Sequence, residues 1–219
     1  MGKKVGVVLS GCGVQDGSEI HETVLLLLAL DRAGLEVVIM APNIPQKHVM
    51  NHRFGEPMGG ERNVVIESAR IARGNIKIMK YVTAHEIDAL AFPGGFGAVK
   101  NLTNFFEKGS ECDVDPQVQR LILECNDHNK PIAACCIAPV IIARVLGRKG
   151  VEVTIGDDTA TSSKITAMGA VHTNCSVVNI VVDEKNKIVT TPAYMIAQSI
   201  SDCYFGISKM VTKLAEFID

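Results

Sequence analysis

Ile132-Ala-Ala-Cys135-Cys136-Ile137-Ala138-Pro139 carries an apolar strand directly into a helical stretch, with Cys136 at the junction. A side chain at such a junction stands on a tight turn above the edge of a parallel sheet, facing the amides of the helix start. Those amides and the helix dipole favour a thiolate, so Cys136 is expected to ionise below the value of a free cysteine. The same segment reads equally well as buried core in which both cysteines act as small hydrophobes. Cys135, one residue earlier on the strand, is expected to point into the core.

Outward from this junction, short apolar runs alternate with helical segments, the mark of a mostly parallel sheet covered on both faces. Upstream lie strands Val5 to Leu9, Glu36 to Met40, Ile76 to Met79 and Ala89 to Phe92. The first ends in Ser10-Gly11-Cys12-Gly13, after which Ser18 is placed to cap a helix with Ile20, Thr23, Val24, Leu27 and Leu28 at helical spacing. Pro42 to Gly60 reads as an irregular or hairpin excursion, followed by a helix over Glu61 to Arg73. Thr83-Ala-His-Glu86 has the form of a capping box. Glu107 to Asp115 reads as a loop insertion, and Asp115-Pro116 as a helix start. Downstream, weak strands near Val151 to Ile155 and Asn179 to Val182 precede a turn at Asp183 to Asn186. A strand over Lys187 to Thr191 and a terminal helix from about Met195 complete a single domain over residues 1–219.

Parallel strands end on one edge, and ligands bind off that edge. Pro93-Gly94-Gly95-Phe96-Gly97 closes its own strand there, with glycines that let backbone amides approach a ligand. Glu19 and Glu22 share a helix face at the same edge. A carboxyl beside a thiol would have a raised pKa and could move protons, whereas the plainer role of both acids is to complement the helix dipole. Cys12, Asp16 and His21 belong to the adjoining loop and read equally as pocket lining or local turn chemistry. His48, His52, His85, His128 and His172 are scattered in polar settings. Gly11-Cys-Gly13 is no dinucleotide fingerprint, because Asp16 stands where the third glycine is needed.

The net charge of −2 offers no positive excess to neutralise phosphates, and without tryptophan a base-stacking surface is also disfavoured. Nucleic acid is therefore excluded as an expected partner. Seven cysteines in an odd number, with no metal-type spacing, point to free thiols in a reducing compartment and to no metal. The chain opens Met-Gly-Lys-Lys and enters a strand at once, with no signal peptide and no apolar run near 18 residues. Neither secretion nor a membrane span is expected. A cytoplasmic setting follows, or a mitochondrial one if a transit peptide was removed.

Glu19-Ile-His-Glu22-Thr-Val, Pro93-Gly-Gly-Phe-Gly-Ala-Val-Lys-Asn-Leu102 and Cys136-Ile-Ala-Pro139 together resemble the PfpI/deglycase superfamily of class I glutamine amidotransferase-like proteins. Ser10-Gly-Cys-Gly-Val-Gln-Asp-Gly-Ser-Glu-Ile-His-Glu22, Gly109-Ser-Glu-Cys112 and Ile188-Val-Thr-Thr-Pro-Ala-Tyr194 are similar to its ElbB branch of glyoxalase-like proteins, also associated with isoprenoid biosynthesis. The resemblance spans nearly the whole chain. It implies a flavodoxin-like three-layer α/β sandwich, usually a homodimer, with no required metal or cofactor. By the same resemblance Cys136 matches the nucleophile and Glu22 the acid that touches it. Gly95 and Ile137 match the oxyanion-hole amides, leaving Glu19, Gly94 and Cys12 as pocket candidates.

The pattern departs from its peptidase and amidotransferase relatives at one point: no histidine follows Cys136, and Thr154-Ile-Gly-Asp-Asp158 supplies none. A Cys-His hydrolase is thereby disfavoured. The expected function is a glutathione-independent glyoxalase acting on glyoxal or a similar small dicarbonyl. The alternatives are a redox-responsive or partner-binding protein that uses the same thiol, and a scaffold that has lost catalysis. The isoprenoid association has no visible basis in these residues.

Overall fold

The buried strand that leads to Cys136 is the third of seven in a central sheet of a computed structural model, which describes residues 2–218. In chain order the strands are β1 Lys4–Val8, β2 Glu36–Ala41, β3 Met50–Asn51, β4 Glu56–Pro57, β5 Lys77–Ile78, β6 Ala89–Phe92, β7 Ile132–Cys135, β8 Glu152–Val153, β9 Val171–His172, β10 Val181–Asp183 and β11 Ile188–Thr191. The helices are α1 Ile20–Arg32, α2 Val64–Ile71, α3 Phe96–Lys100, α4 Phe105–Lys108, α5 Pro116–Asp127, α6 Pro139–Leu146, α7 Thr159–Ala167 and α8 Ile200–Ile218.

The central sheet runs β10-β11-β7-β6-β1-β2-β5, and every pairing is parallel except β10 with β11. β6, β7 and β11 are buried at every position, as strands covered on both faces must be. Helix α8 packs on β7 and β11 and against α1, while α5 and α6 pack together against β7. This is the flavodoxin-like α/β sandwich. One apolar cluster runs from Val5 to Ile218. The excursion after β2 contains the small β3–β4 hairpin, and β8 pairs with β9 apart from the main sheet.

Registry fixes the functional edge. Ile132 of β7 lies opposite Leu90 of β6 and Ile188 of β11, so the three strands finish level with one another. Asp115 caps α5 as expected, accepting from the amides of Gln117 at 2.9 Å and Val118 at 3.2 Å, with Pro116 opening the helix. Glu86 accepts from the Thr83 amide at 3.0 Å, but the box opens only a 3₁₀ turn.

Several boundaries differ from expectation. The cap of α1 is Glu19, not Ser18; the Ser18 hydroxyl is buried and accepts from the Ser10 amide at 2.8 Å instead. Asn63 caps α2, so that helix starts after Glu61. The terminal helix begins at Ile200, because Ala193 to Met195 form a separate 3₁₀ turn. Part of the expected insertion before Asp115 coils into α4 and a 3₁₀ turn at Gly109–Glu111. Helix α7 has no counterpart in the sequence reading.

Candidate active site

Cys136 follows β7 with φ +59°, in the left-handed region that costs a non-glycine residue about 1–2 kcal/mol. Its surroundings hold it there. The Cys136 amide donates to the Thr191 carbonyl at the end of β11 at 3.0 Å, and α6 starts three residues later with Pro139 in its first turn. The turn leaves Cys136 8% exposed, whereas Cys135 is sealed in the core.

The end of β6 meets this elbow at very short range. A Cβ on Gly94 would fall 2.4 Å from the Cys136 Cβ, 2.5 Å from Glu22 Oε2 and 2.8 Å from the Cys136 Sγ. Gly95 has φ +96°, and a Cβ there would meet the Glu19 nitrogen and the Gly17 carbonyl oxygen at 2.4 Å. The absence of both side chains lets the Gly95 amide reach the Cys136 sulfur, where the Ile137 amide joins it. The pair assigned to an oxyanion hole thus converges on the thiol.

Glu22 projects from the first turn of α1 into this junction with no solvent exposure. Its Oε2 accepts from the Gly94 amide at 3.1 Å and its Oε1 from the Tyr194 amide at 3.0 Å, and it hydrogen-bonds the Cys136 thiol. Burial raises its pKa from 4.5 to about 7; Glu19 adds to the rise, while the two amides and the thiol oppose it. Burial also drives the Cys136 thiol well above its usual range, followed by the charge and hydrogen bond of Glu22. The Gly95 and Ile137 amides act in the other direction and do not win. The expected depressed thiol pKa is therefore corrected: burial first, and a carboxylate in contact second, outweigh the amides at the elbow. The two groups titrate as one unit, which readily carries a single negative charge and strongly resists a second.

The remaining candidates separate into two places. Glu19 caps α1, accepting from the Glu22 amide at 2.6 Å while its own amide donates to the Gly94 carbonyl at 2.9 Å. It thereby fixes Glu22 against Gly94. Cys12 is not part of this group; it lies half-buried among Glu67, Arg70, Asp16 and Arg62, with its pKa raised mainly by burial. Among the described residues no histidine joins the thiol and carboxyl: His21 is exposed and hydrogen-bonds the Tyr194 hydroxyl at 3.0 Å.

The sequence reading missed what β11 contributes. Ala193, buried at φ +45°, turns the chain so that the Tyr194 amide reaches Glu22. A signal existed, since Thr191-Pro192 ends a strand on the same edge as Cys136. Among the described residues, no group of three or more His, Cys, Asp or Glu side chains is arranged to hold a metal ion.

A parallel α/β sheet with a cysteine elbow and a buried acid against the thiol defines a class of cysteine-bearing flavodoxin-like proteins. The chain matches no family model. It is 48% identical over 223 aligned positions to human glutamine amidotransferase-like class 1 domain-containing protein 3, mitochondrial, covering 97% of this chain and 82% of that one. The rat ES1 protein homolog, mitochondrial, is 47% identical, with 97% and 83% covered. The chain belongs to the class I glutamine amidotransferase-like family. An isoprenoid biosynthesis protein with an amidotransferase-like domain from Ehrlichia chaffeensis superimposes with a TM-score of 0.93 at 37% identity, covering 99% of this chain and 100% of that one. Drosophila melanogaster DJ-1beta, at 18% identity and a TM-score of 0.60 over 100% and 94% of the two chains, shares the fold.

Proposed function

We propose that the chain is a glutathione-independent, glyoxalase-like enzyme of the ElbB-like branch, converting glyoxal or a similar small dicarbonyl to a hydroxy acid. The observation that carries this reading is a buried carboxyl with a pKa of about 7 hydrogen-bonded to the elbow thiol, with no histidine beside them. A general acid–base works best when its pKa lies near the working pH. An aldehyde is electrophilic enough to meet a thiol whose proton leaves during attack, and no amine leaving group has to be protonated.

In this scheme the Glu22 carboxylate takes the Cys136 proton as Sγ bonds to an aldehyde carbon. The oxyanion receives the Gly95 and Ile137 amides and then the proton from Glu22, giving a hemithioacetal. Glu22 next removes the hydrogen from the sulfur-bearing carbon and an enediol forms. Reprotonation of the adjacent carbon leaves a thioester, in which one carbon has been oxidised and its neighbour reduced. Water cleaves the thioester, releasing glycolate from glyoxal and restoring the thiol. The test is glycolate production by purified protein, followed by NMR, beside Cys136→Ala and Glu22→Gln. No glycolate from the wild type, or full activity in Cys136→Ala, overturns the scheme.

A second reading is favoured by the same contact. A protonated Glu22 can donate to an oxidised Cys136, as a redox-responsive protein would require. Site-resolved mass spectrometry after mild peroxide tests it; oxidation spread evenly over the seven cysteines counts against it.

We infer a reducing setting from the free thiols: the cytoplasm or, as the names of the human and rat relatives suggest, the mitochondrion. Organelle fractionation tests this. We also propose a homodimer, supported by the exposed Ile20, Val24 and Leu28 stripe on α1. Light scattering reads the mass directly. A link to isoprenoid metabolism rests on the name of the Ehrlichia relative alone.

A further inference from the structure

The motif Gly109-Ser-Glu-Cys112 plays no part in the chemistry above, yet its last residue, Cys112, lines a cleft of about 400 Å³. The cleft is lined by Cys112, Asp113, Gln119, Arg144, Arg148 and Met168 among others. Arg144 belongs to the last turn of α6 and Arg148 to the 3₁₀ turn that continues it, and both line the cleft. Helix α6 begins just after Cys136. Its far end, with both arginines, therefore points away from the thiol site.

Arginine near a helix C-terminus ordinarily needs no explanation beyond the helix dipole. Here Arg144 does more. Its Nε donates to the Cys112 carbonyl, which belongs to a distant segment, and this bond orients the guanidinium at the wall of the cleft. Neither Arg144 nor Arg148 has a carboxylate within ion-pair distance among the described residues. The nearby acid is already occupied: Asp113 is held by Lys108 at 2.6 Å and by Asn104 at 2.9 Å. Two like charges are thus gathered in a concave site with no carboxylate in ion-pair contact with either, one of them pre-oriented by a backbone carbonyl, while Asp113 at the rim is engaged by Lys108.

We propose that this cleft binds the phosphate group of a small phosphate monoester, with Arg144 and Arg148 as its anion ligands. A guanidinium presents parallel N–H groups that match two phosphate oxygens, and a doubly charged anion offsets the repulsion between the arginines. The cleft falls within the volume range of small-molecule sites and exceeds what a free phosphate ion needs. Gln119 and the hydrogen-bonded Asp113 are placed to meet the polar remainder of the ligand.

The test is titration of the full chain with inorganic phosphate and with glycerol 3-phosphate at fixed ionic strength, read by amide NMR shifts. Arg148→Ala and Arg148→Lys are compared with the wild type; Arg148 is exposed, so its loss leaves the core untouched. The expected result is saturable shifts at Gln119 and Met168, tighter for the ester than for inorganic phosphate. Removing the charge-assisted bonds of Arg148 weakens binding about tenfold, and lysine restores part of it. Shifts that stay linear through the titration, that cluster instead around Cys136, or that are unchanged in Arg148→Ala would overturn the assignment.

Discussion

Cys136 and Cys12 both follow a buried parallel strand of the same sheet, yet they occupy opposite chemical situations. After β7 the chain makes one left-handed residue and meets two amides, a neutralisable carboxyl and two glycines that leave room for them. After β1 the loop is tied down by its own groups and by side chains from neighbouring segments, none of which serves the Cys12 thiol. The Ser10 amide bonds the Ser18 hydroxyl, Asn101 donates to the carbonyls of Ser10 and Asp16, and Cys12 is left between acids and arginines that already pair, as Glu67 does with Arg70 at 2.9 Å. A position at the functional edge is therefore insufficient for reactivity. What distinguishes Cys136 is a proton acceptor in contact with it and two backbone amides aimed at its sulfur.

The largest expected effect is that of Cys136→Ala, which should remove glyoxal turnover altogether; turnover surviving in this variant breaks the contrast at its root. Gly94→Ala comes next, because its methyl would overlap the thiol and the Glu22 carboxyl together. Overpacking of this kind costs about 1–3 kcal/mol, so a lowered denaturation midpoint and a large loss of turnover are expected together. A stable, fully active Gly94→Ala would mean the elbow is looser than the 2.4 Å approach implies.

Glu22→Gln sharpens the comparison through pH. A carboxyl raised from 4.5 to about 7 binds more protons folded than unfolded, so its contribution favours the fold below the lower value and is lost as pH rises through the higher. Urea unfolding between pH 5 and pH 8 should show the wild type losing about 2–3 kcal/mol more than Glu22→Gln does over that window. The slope is the readout, since a glutamine NH₂ facing the Gly94 or Tyr194 amide costs stability at every pH. In the same variant, alkylation of Cys136 should set in at lower pH, because the repelling carboxylate is gone. An unchanged alkylation profile would separate the two groups. The smallest effect belongs to Cys12→Ser, expected to leave turnover unchanged and stability within about 0.5 kcal/mol; a strong loss of turnover would bring the first loop back into the site.

The parts of this molecule that could be read from its sequence are those set by neighbouring residues. Ile132 to Cys135 announces a buried strand by its run of apolar residues, Asp115-Pro116 announces its helix, and Gly94-Gly95 announces a turn where side chains would collide. Glu22 was legible because its spacing from Glu19 kept it at the edge. Helix α7 was not, since Thr159-Ala-Thr-Ser-Ser-Lys gives no apolar stripe and only Ile165 is buried. The Glu19 cap was hidden because serine is the stronger capping residue and Ser18 stood next to it. Tyr194 serves Glu22 with its backbone amide, a role its side chain could not advertise. The direction of the Cys136 pKa is hidden for the same reason: the dipole at the elbow is local, whereas burial and the facing Glu22 carboxylate of α1 come from the tertiary structure.

The Tyr194 and Gly94 amides that end on Glu22 belong to the segments after β11 and β6, the strands on either side of β7. One carboxyl group therefore clamps two strand ends across the strand that bears the cysteine. Any sliding of β6 against β11 would be felt at the sulfur before it reached the surface. Hydrogen exchange at those two amides should consequently rise and fall together, and the protonation of a single side chain should set how tightly three neighbouring strands are fastened at their ends.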